Sequence, residues 1–301
     1  MLLDSLIEKA TREGTNTVAV AAAEDVEVIE AILDAVNRNL ARFILFGDQN
    51  KIKSLLEMKK YDDRGNNLLK IVHTNSTIDS AELAVKAVFQ KEADVLMKGN
   101  LPTNFILKAV LNKEFGLRTG NVLSHVAFFE VPGFERFTIV TDAAMNIAPD
   151  LQQKAQIINN AVSLAKCIGI ETPKVAPLAA VEVVNPAMQA TVDAASLTMM
   201  NKRGQIPGCI VDGPLALDNA VSALAAEHKG IQSEVAGQAD ILLVPTIDVG
   251  NVLYKSLIYF AKAKVGAVIA GAKAPIVLTS RADSAESKLY SLALALCCVT
   301  K

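Results

Sequence analysis

The sequence predicts an α/β fold in two lobes, each a mostly parallel sheet covered by helices. Three observations carry that expectation. Short apolar runs alternate with stretches whose apolar residues recur at helical spacing, so βα units repeat along the chain. Several of the runs are continuous rather than alternating, the pattern of a strand covered on both faces. Hydrophobic residues make up 51% of the 301 and aromatics only 5%, without tryptophan, so Ala, Val, Leu and Ile fill the interior.

Taken in order, Leu2 to Ala10 is an amphipathic helix and Thr17 to Ala23 an apolar strand. Asp25 to Asn37 is a helix with Val26, Ile29, Leu33 and Val36 on one face. The run 43–46 is a buried strand closed by Gly47-Asp48, and a helix follows from Gln49 to about Met58. A polar surface loop, Lys60 to Asn67, precedes a strand at 69–72 and a helix from Asp79 to Gln90. The next strand is 94–97, and beyond Pro102, a residue suited to a first helical turn, comes a helix carrying Lys108.

Leu123 to Val131 and Phe137 to Thr141 read as two strands of a hairpin, joined through Pro132-Gly133. The hairpin interrupts the βα rhythm and marks the crossing into a second lobe. Residues 1–130 with 271–301 are expected as a first, discontinuous domain and 131–270 as the second. The remaining elements are a helix at 150–167, a strand at 175–178, a helix at 186–200 and a strand at 209–211 ending in Asp212-Gly213-Pro214. Helix then runs to about His228, followed by a strand at 241–245, a loop at 248–251, a helix at 252–262 and an apolar run at 265–270.

The last βα unit is richest in chemistry. Ile276 to Leu278 is a short buried strand, Thr279 to Ser284 is polar in all but one position, and a helix follows from about Asp283 to Cys298. Ser280 and Asp283 both suit a helix N-cap. A helix N-terminus beside Arg281 is suited to an anion, phosphate above all, and equally to a capped helix with a surface ion pair.

Ligands of open α/β sheets bind beyond the carboxyl ends of the strands. Four exits carry polar groups there: Lys98-Gly99-Asn100, Asp212-Gly213, Asp248 to Asn251, and Thr279 to Asp283. Gly99 permits close backbone approach, while Lys98 and Lys108 bring positive charge, each also readable as a solvated lysine. Together these groups suit a small oxyanion-bearing substrate. No legible Ser/His/Asp or Cys/His set supports proteolysis, with His73, His125 and His228 scattered and structural. Neither a Gly-x-x-x-x-Gly-Lys-Ser/Thr loop nor a Gly-x-Gly-x-x-Gly fingerprint is present. The net charge of −2 argues against a nucleic-acid partner. No apolar run approaches the ~18 residues of a membrane span, and Met1 to Asp4 lacks a basic signal region. The four cysteines lack metal spacing and sit in apolar contexts, as expected of buried thiols in a reducing cytoplasm.

The segments Lys174 to Pro186, Ile210 to Asp218 (with Asp-Gly-Pro-Leu-Ala-Leu-Asp), Val235 to Pro245, Gly250 to Lys255 and Leu278 to Arg281 together resemble the phosphate acetyl/butyryl transferase family, and its butyryl branch most. The likeness runs over essentially the whole chain and is densest from 174 to 284. It implies exchange of phosphate for coenzyme A on a short acyl group, with acyl-CoA and phosphate as substrates and neither redox cofactor nor metal. It also implies an isocitrate/isopropylmalate dehydrogenase-like fold with an interdomain cleft, and a cytoplasmic homo-oligomer, at least a dimer.

Carried onto this chain, the resemblance makes Arg281 the bidentate phosphate ligand and Ser280 the donor to the thioester carbonyl oxygen. A base must take the CoA thiol proton. The acetyl-transferring relatives have an aspartate six residues after the arginine, where this chain has Ser287, so Asp283 or Glu286 takes that part. Lys108 stands where a relative has a phosphate-site arginine, and Thr246 where the family commonly has an acid. Lys98, Asn100, Thr103, Asp212, Asn251, Lys255 and Thr279 complete the expected phosphate- and CoA-binding set. The rival readings are the acetyl-specific enzyme, a metal-dependent NAD(P) dehydrogenase of the same fold, and a non-catalytic acyl-CoA-binding protein.

Overall fold

The computed structural model describes residues 2–14, 16–62, 67–279 and 283–299. They form two compact units, Leu3–Asn121 with Gly266–Lys301, and Val122–Val265.

The first unit opens with α1 (Leu2–Glu13) and continues as β1 (Asn16–Ala21), α2 (Val26–Asn37), β2 (Ala41–Gly47), α3 (Gln49–Met58), β3 (Leu69–His73), α4 (Thr77–Phe89), β4 (Val95–Lys98) and α5 (Thr103–Val110). Its strands lie in the order β3-β2-β1-β4, all parallel. The chain winds outward from β1 to β3 and then returns to β1's other side as β4. That reversal makes the carboxyl ends of β1 and β4 a topological switch point, where such sheets take ligands.

The helix starts follow their caps. Asp25 accepts from Val28 N at 3.0 Å, Asp48 from Asn50 N at 2.9 Å and Ser76 from Asp79 N at 3.1 Å. Ser76 therefore starts α4 ahead of the Asp79 read from sequence. On α2 the buried stripe is Val28, Ile29, Ala31, Ile32, Ala35 and Val36. Val26, expected on that face, lies in the first turn and is exposed.

The second unit contains β5 (Ser124–Glu130), β6 (Thr138–Thr141), α6 (Leu151–Cys167), β7 (Lys174–Pro177), α7 (Gln189–Lys202), β8 (Ile210–Val211), α8 (Leu217–Val221), α9 (Ala223–His228), β9 (Ile241–Leu243) and α10 (Ile247–Tyr259). The hairpin is present: β5 and β6 pair antiparallel, Val126 opposite Thr141. From β6 the order runs β9-β7-β8 in parallel.

Three sequence readings change here. The single helix expected up to His228 is broken at Ser222, which ends α8 and caps α9 by accepting from Ala225 N at 3.3 Å. The helix expected from Pro186 starts at Gln189, because the Thr191 hydroxyl accepts from Asn185 N and lies within bonding distance of Asn185 O, while Asn185 Oδ1 accepts from Ala187 N, which holds 185–188 in a turn. Residues 248–251, expected as a strand-exit loop, are the first turn of α10. Gly250 allows this, since a Cβ there would stand 2.7 Å from the carbonyl oxygen of Asp142 and 2.8 Å from Ala143 Cα.

The chain closes with β10 (Lys264–Ala270), β11 (Ile276–Val277) and α11 (Ala285–Cys297). In the first unit β11 pairs parallel to β4, Val277 beside Met97, and antiparallel to β10. The sheet is mixed but mostly parallel. Among the described residues, no helix is long and apolar enough to cross a membrane.

Candidate active site

In the first unit, β1, β4 and β11 end on the same edge. Ile276 is level with Leu96 and Val277 with Met97, so Lys98 and Thr279 emerge together. Lys98 follows three apolar residues and is 4% exposed. The sequence allowed it to be a solvated loop lysine; it is buried. An ammonium taken out of water needs compensating acceptors. Here Nζ donates to the carbonyl oxygens of Gly99 at 3.2 Å and of Thr279 at 3.5 Å. Thr279 is itself 6% exposed.

Gly99 fixes the spacing of the exits. Its N–H donates to Ala21 O at 2.8 Å and that of Asn100 to Ala22 O at 2.7 Å. A Cβ on residue 99 would stand 2.1 Å from Ala22 O, so only glycine lets β1's backbone come this close. Beyond it Asn100 is exposed, and Thr103 is the half-buried first residue of α5. Pro102 stands one position before the first turn, as N-cap. Lys108 lies in the last turn of α5, exposed on the side away from the buried Ile106, Ala109 and Val110.

Ser280 and Arg281 lie outside the described residues. The chain resumes at Asp283, and the N-cap of α11 is Ser284, which accepts from Ser287 N at 3.2 Å. Asp283 is thus displaced from the capping role, and its half-buried residue lies just ahead of the helix. Its carbonyl oxygen accepts from Lys288 Nζ, and Lys288, 2% exposed, pairs with Glu27 at 3.5 Å. Lys288 therefore ties the 283 turn to α2, a positioning part that nothing in the spacing disclosed. Glu286 turns the other way: Tyr290 Oη lies 3.2 Å from it and 2.9 Å from Asp4 of α1.

In the second unit, Asp212 follows β8 half-buried, its N–H donating to Val175 O at 3.2 Å. It does not cap α8, whose N-cap is Ala216. Asn251 and Lys255 are four residues apart on α10, both exposed and so on one face. Between them Tyr254 meets the rings of His125 and Phe129 edge-on, at 5.7 and 5.2 Å. The exit of β6, passed over in the sequence, is the most fully bonded of this unit. Asp142, 2% exposed, accepts from Ala144 N at 2.9 Å, Met145 N at 3.0 Å, Asn146 N at 3.1 Å and Asn146 Nδ2 at 2.6 Å. An acid directly after a buried strand was the available signal.

Another charged group secures the loop after β7. Lys229 reaches Glu182 at 2.6 Å and Asp218 at 3.0 Å, and both carboxyls are held below their usual range, chiefly by that hydrogen bond. Of the cysteines, Cys297 and Cys298 are buried, whereas Cys167 and Cys209 are partly exposed, a departure from the expectation of four buried thiols. Burial pushes the Cys209 thiol up to about 11. No group of three or more His, Cys, Asp or Glu placed to hold a metal occurs among the described residues.

The profile of the family described as "Phosphate acetyl/butaryl transferase" matches residues 59–296. The chain belongs to the phosphate acetyl/butyryl transferase family. Within it, a Bacillus subtilis protein named probable phosphate butyryltransferase is 60% identical over 99% of this chain and 98% of its own. A Thermotoga maritima phosphate acetyltransferase is 47% identical, covering 98% of each chain. Among solved structures, a branched-chain phosphotransacylase from Enterococcus faecalis superposes with a TM-score of 0.83 at 40% identity, over 95% of this chain and 99% of that one. A 4-hydroxythreonine-4-phosphate dehydrogenase from Burkholderia phymatum, 12% identical, shares the fold at a TM-score of 0.56 over 95% of this chain and 99% of its own.

Proposed function

We propose that this member of the family transfers a butanoyl group reversibly between coenzyme A and inorganic phosphate, within a ternary complex and without an acyl-enzyme. The observation that carries the site is the buried Lys98 ammonium held against Thr279 O, one residue before Ser280-Arg281. It supplies fixed positive charge in a water-poor place, where charge developing in a transition state is stabilised most.

In the phosphorolysis direction, a phosphate oxygen attacks the thioester carbonyl carbon. The carbonyl π electrons move onto oxygen, and the tetrahedral intermediate collapses with C–S cleavage to acyl phosphate and CoA thiolate, which takes a proton. Arg281 holds the phosphate bidentately and Ser280 donates to the carbonyl oxygen. Lys108 adds a point charge on the phosphate side. Asp283 gives the sulfur the proton that the attacking hydrogen phosphate loses as the acyl phosphate forms, and in reverse takes the thiol proton; Glu286 is committed to Tyr290. Asn100, Thr103 and Thr279 line the substrate path. From the second unit, Asp212, Asn251 and Lys255 complete the phosphate- and CoA-binding set.

We read the two units as the two domains of an isocitrate/isopropylmalate dehydrogenase-like enzyme, acting as a cytoplasmic homo-oligomer with CoA and phosphate as substrates and no resident cofactor. The test is phosphate-dependent CoA release from acetyl-, butanoyl- and 2-methylpropanoyl-CoA. A preference for butanoyl-CoA supports the reading. A preference for acetyl-CoA favours the second one, which the 47% identity to a phosphate acetyltransferase keeps in play. No release from any acyl-CoA overturns both.

A further inference from the structure

The opposite edge of the first unit's sheet carries a cationic hollow. At the amino ends of β4 and β11, a concave space of about 300 Å³ is lined by Phe89, Asn112, Lys113, Glu114, Arg118 and Lys273, among others. Three cations face one carboxylate, a local excess of two positive charges. None of Lys113, Arg118 and Lys273 pairs with a carboxylate among the described residues. Lys86 and Lys59 of the same unit do pair, with Glu82 and Glu30.

The cations stand on stapled backbone. Lys273 N–H donates to Leu117 O at 2.8 Å, Arg118 pairs antiparallel with Ala272, and Thr119 Oγ1 donates to Gly271 O. The 111–120 loop is fixed from within as well: Asn112 Oδ1 accepts from Glu114 N at 2.8 Å and Phe115 N at 3.2 Å, which leaves its NH₂ as a donor. Lys273 Nζ is set 5.1 Å from the centroid of the half-exposed Phe89 ring. Arg118 and Lys273 thus leave backbone held together across a single antiparallel bridge.

We propose that this hollow is a binding site for a small phosphate-bearing anion, distinct from the catalytic edge. The guanidinium fork of Arg118 takes two oxygens of one phosphoryl group. Lys273 and Lys113 neutralise the remaining charge, and the ring of Phe89 closes one wall. The excess of two positive charges suits a phosphoryl dianion, and the volume, at the small end of ligand sites, also admits a diphosphate.

The test uses the full chain and inorganic pyrophosphate, titrated calorimetrically into wild type, Arg118→Gln/Lys273→Gln and Lys113→Gln. Glutamine keeps the backbone pairing, and a thermal melt checks the fold of each variant. The expected result is a binding isotherm that weakens with salt, by at least tenfold in affinity in the double variant and by less in Lys113→Gln. ADP bound more tightly than pyrophosphate would identify a nucleotide source and equal or weaker binding a free diphosphate; both support the site. No binding to wild type at millimolar pyrophosphate, or an unchanged isotherm in the double variant, overturns it. The single exposed variant Lys113→Gln provides the same reading if the double variant melts early.

Discussion

The ammonium of Lys98 lies 3.5 Å from the carbonyl oxygen of Thr279, joining the carboxyl ends of two parallel strands that are far apart in sequence. An ammonium taken out of water is costly unless compensated, and Lys98 Nζ donates to the carbonyl oxygens of Gly99 and Thr279 at this strand end. Lys98→Met keeps the length of the side chain and removes the charge. The account predicts a fall in kcat of about 10²-fold or more, with a melting temperature at or above that of wild type. A purely structural lysine would give the reverse: an early melt with kcat per folded molecule unchanged.

Gly99 carries the next prediction. With Ala22 O 2.1 Å and Ala21 O 2.7 Å from any added Cβ, both of them backbone atoms, the end of β1 cannot give way cheaply. Gly99→Ala is expected to lower stability by about 1–3 kcal/mol or more, read from urea unfolding, and to reduce activity beyond the loss of folded protein. Unfolding at the wild-type urea midpoint would show that the β1–β4 spacing is adjustable.

The order of strands and helices was legible because alternation of apolar runs with helical periodicity survives burial, and the β5–β6 hairpin with it. What sequence left dark was which polar residues face inward. Lys98 and Lys108 read alike as loop or helix lysines, yet one is buried and the other exposed, and only the register of β4 against β11 separates them. Gly250 and Asn251 read as a loop because glycine usually breaks helices; here close packing against Asp142 and Ala143 outweighs that preference. Lys288 was invisible because its partners, Asp283 O and Glu27, are brought to it by the packing of α11 on α2.

The trio Glu182, Asp218 and Lys229 predicts a pH dependence. Lys229 holds both carboxyls below their usual range, and its own ammonium is raised by them. Depressed carboxyls stabilise the fold above their unfolded value of about 4 and lose that contribution as pH falls through the folded-state values. The raised lysine contributes below its ordinary range and loses it only as pH rises through the higher folded-state value. Melting temperature should therefore fall for wild type below about pH 4, with a shallower fall in Lys229→Met. Parallel curves would refute the linkage.

Cys209 bears on the proposal of direct transfer without an acyl-enzyme. With its thiol pushed up to about 11, almost none of it is thiolate at pH 8. Iodoacetamide at pH 8 should modify Cys209 at least about 100-fold more slowly than free cysteine, and Cys209→Ser should keep full transferase activity. Rapid labelling accompanied by loss of activity would put a thiol in the reaction.

The central claim is that Arg281 grips the phosphate. The most direct measurement is the steady-state rate of Arg281→Ala with butanoyl-CoA over a range of phosphate concentrations. The account predicts that kcat/KM for phosphate falls by about 10²-fold or more, while the variant melts like wild type. A kcat/KM within about twofold of wild type, less than half a kcal/mol in transition-state binding, would contradict it.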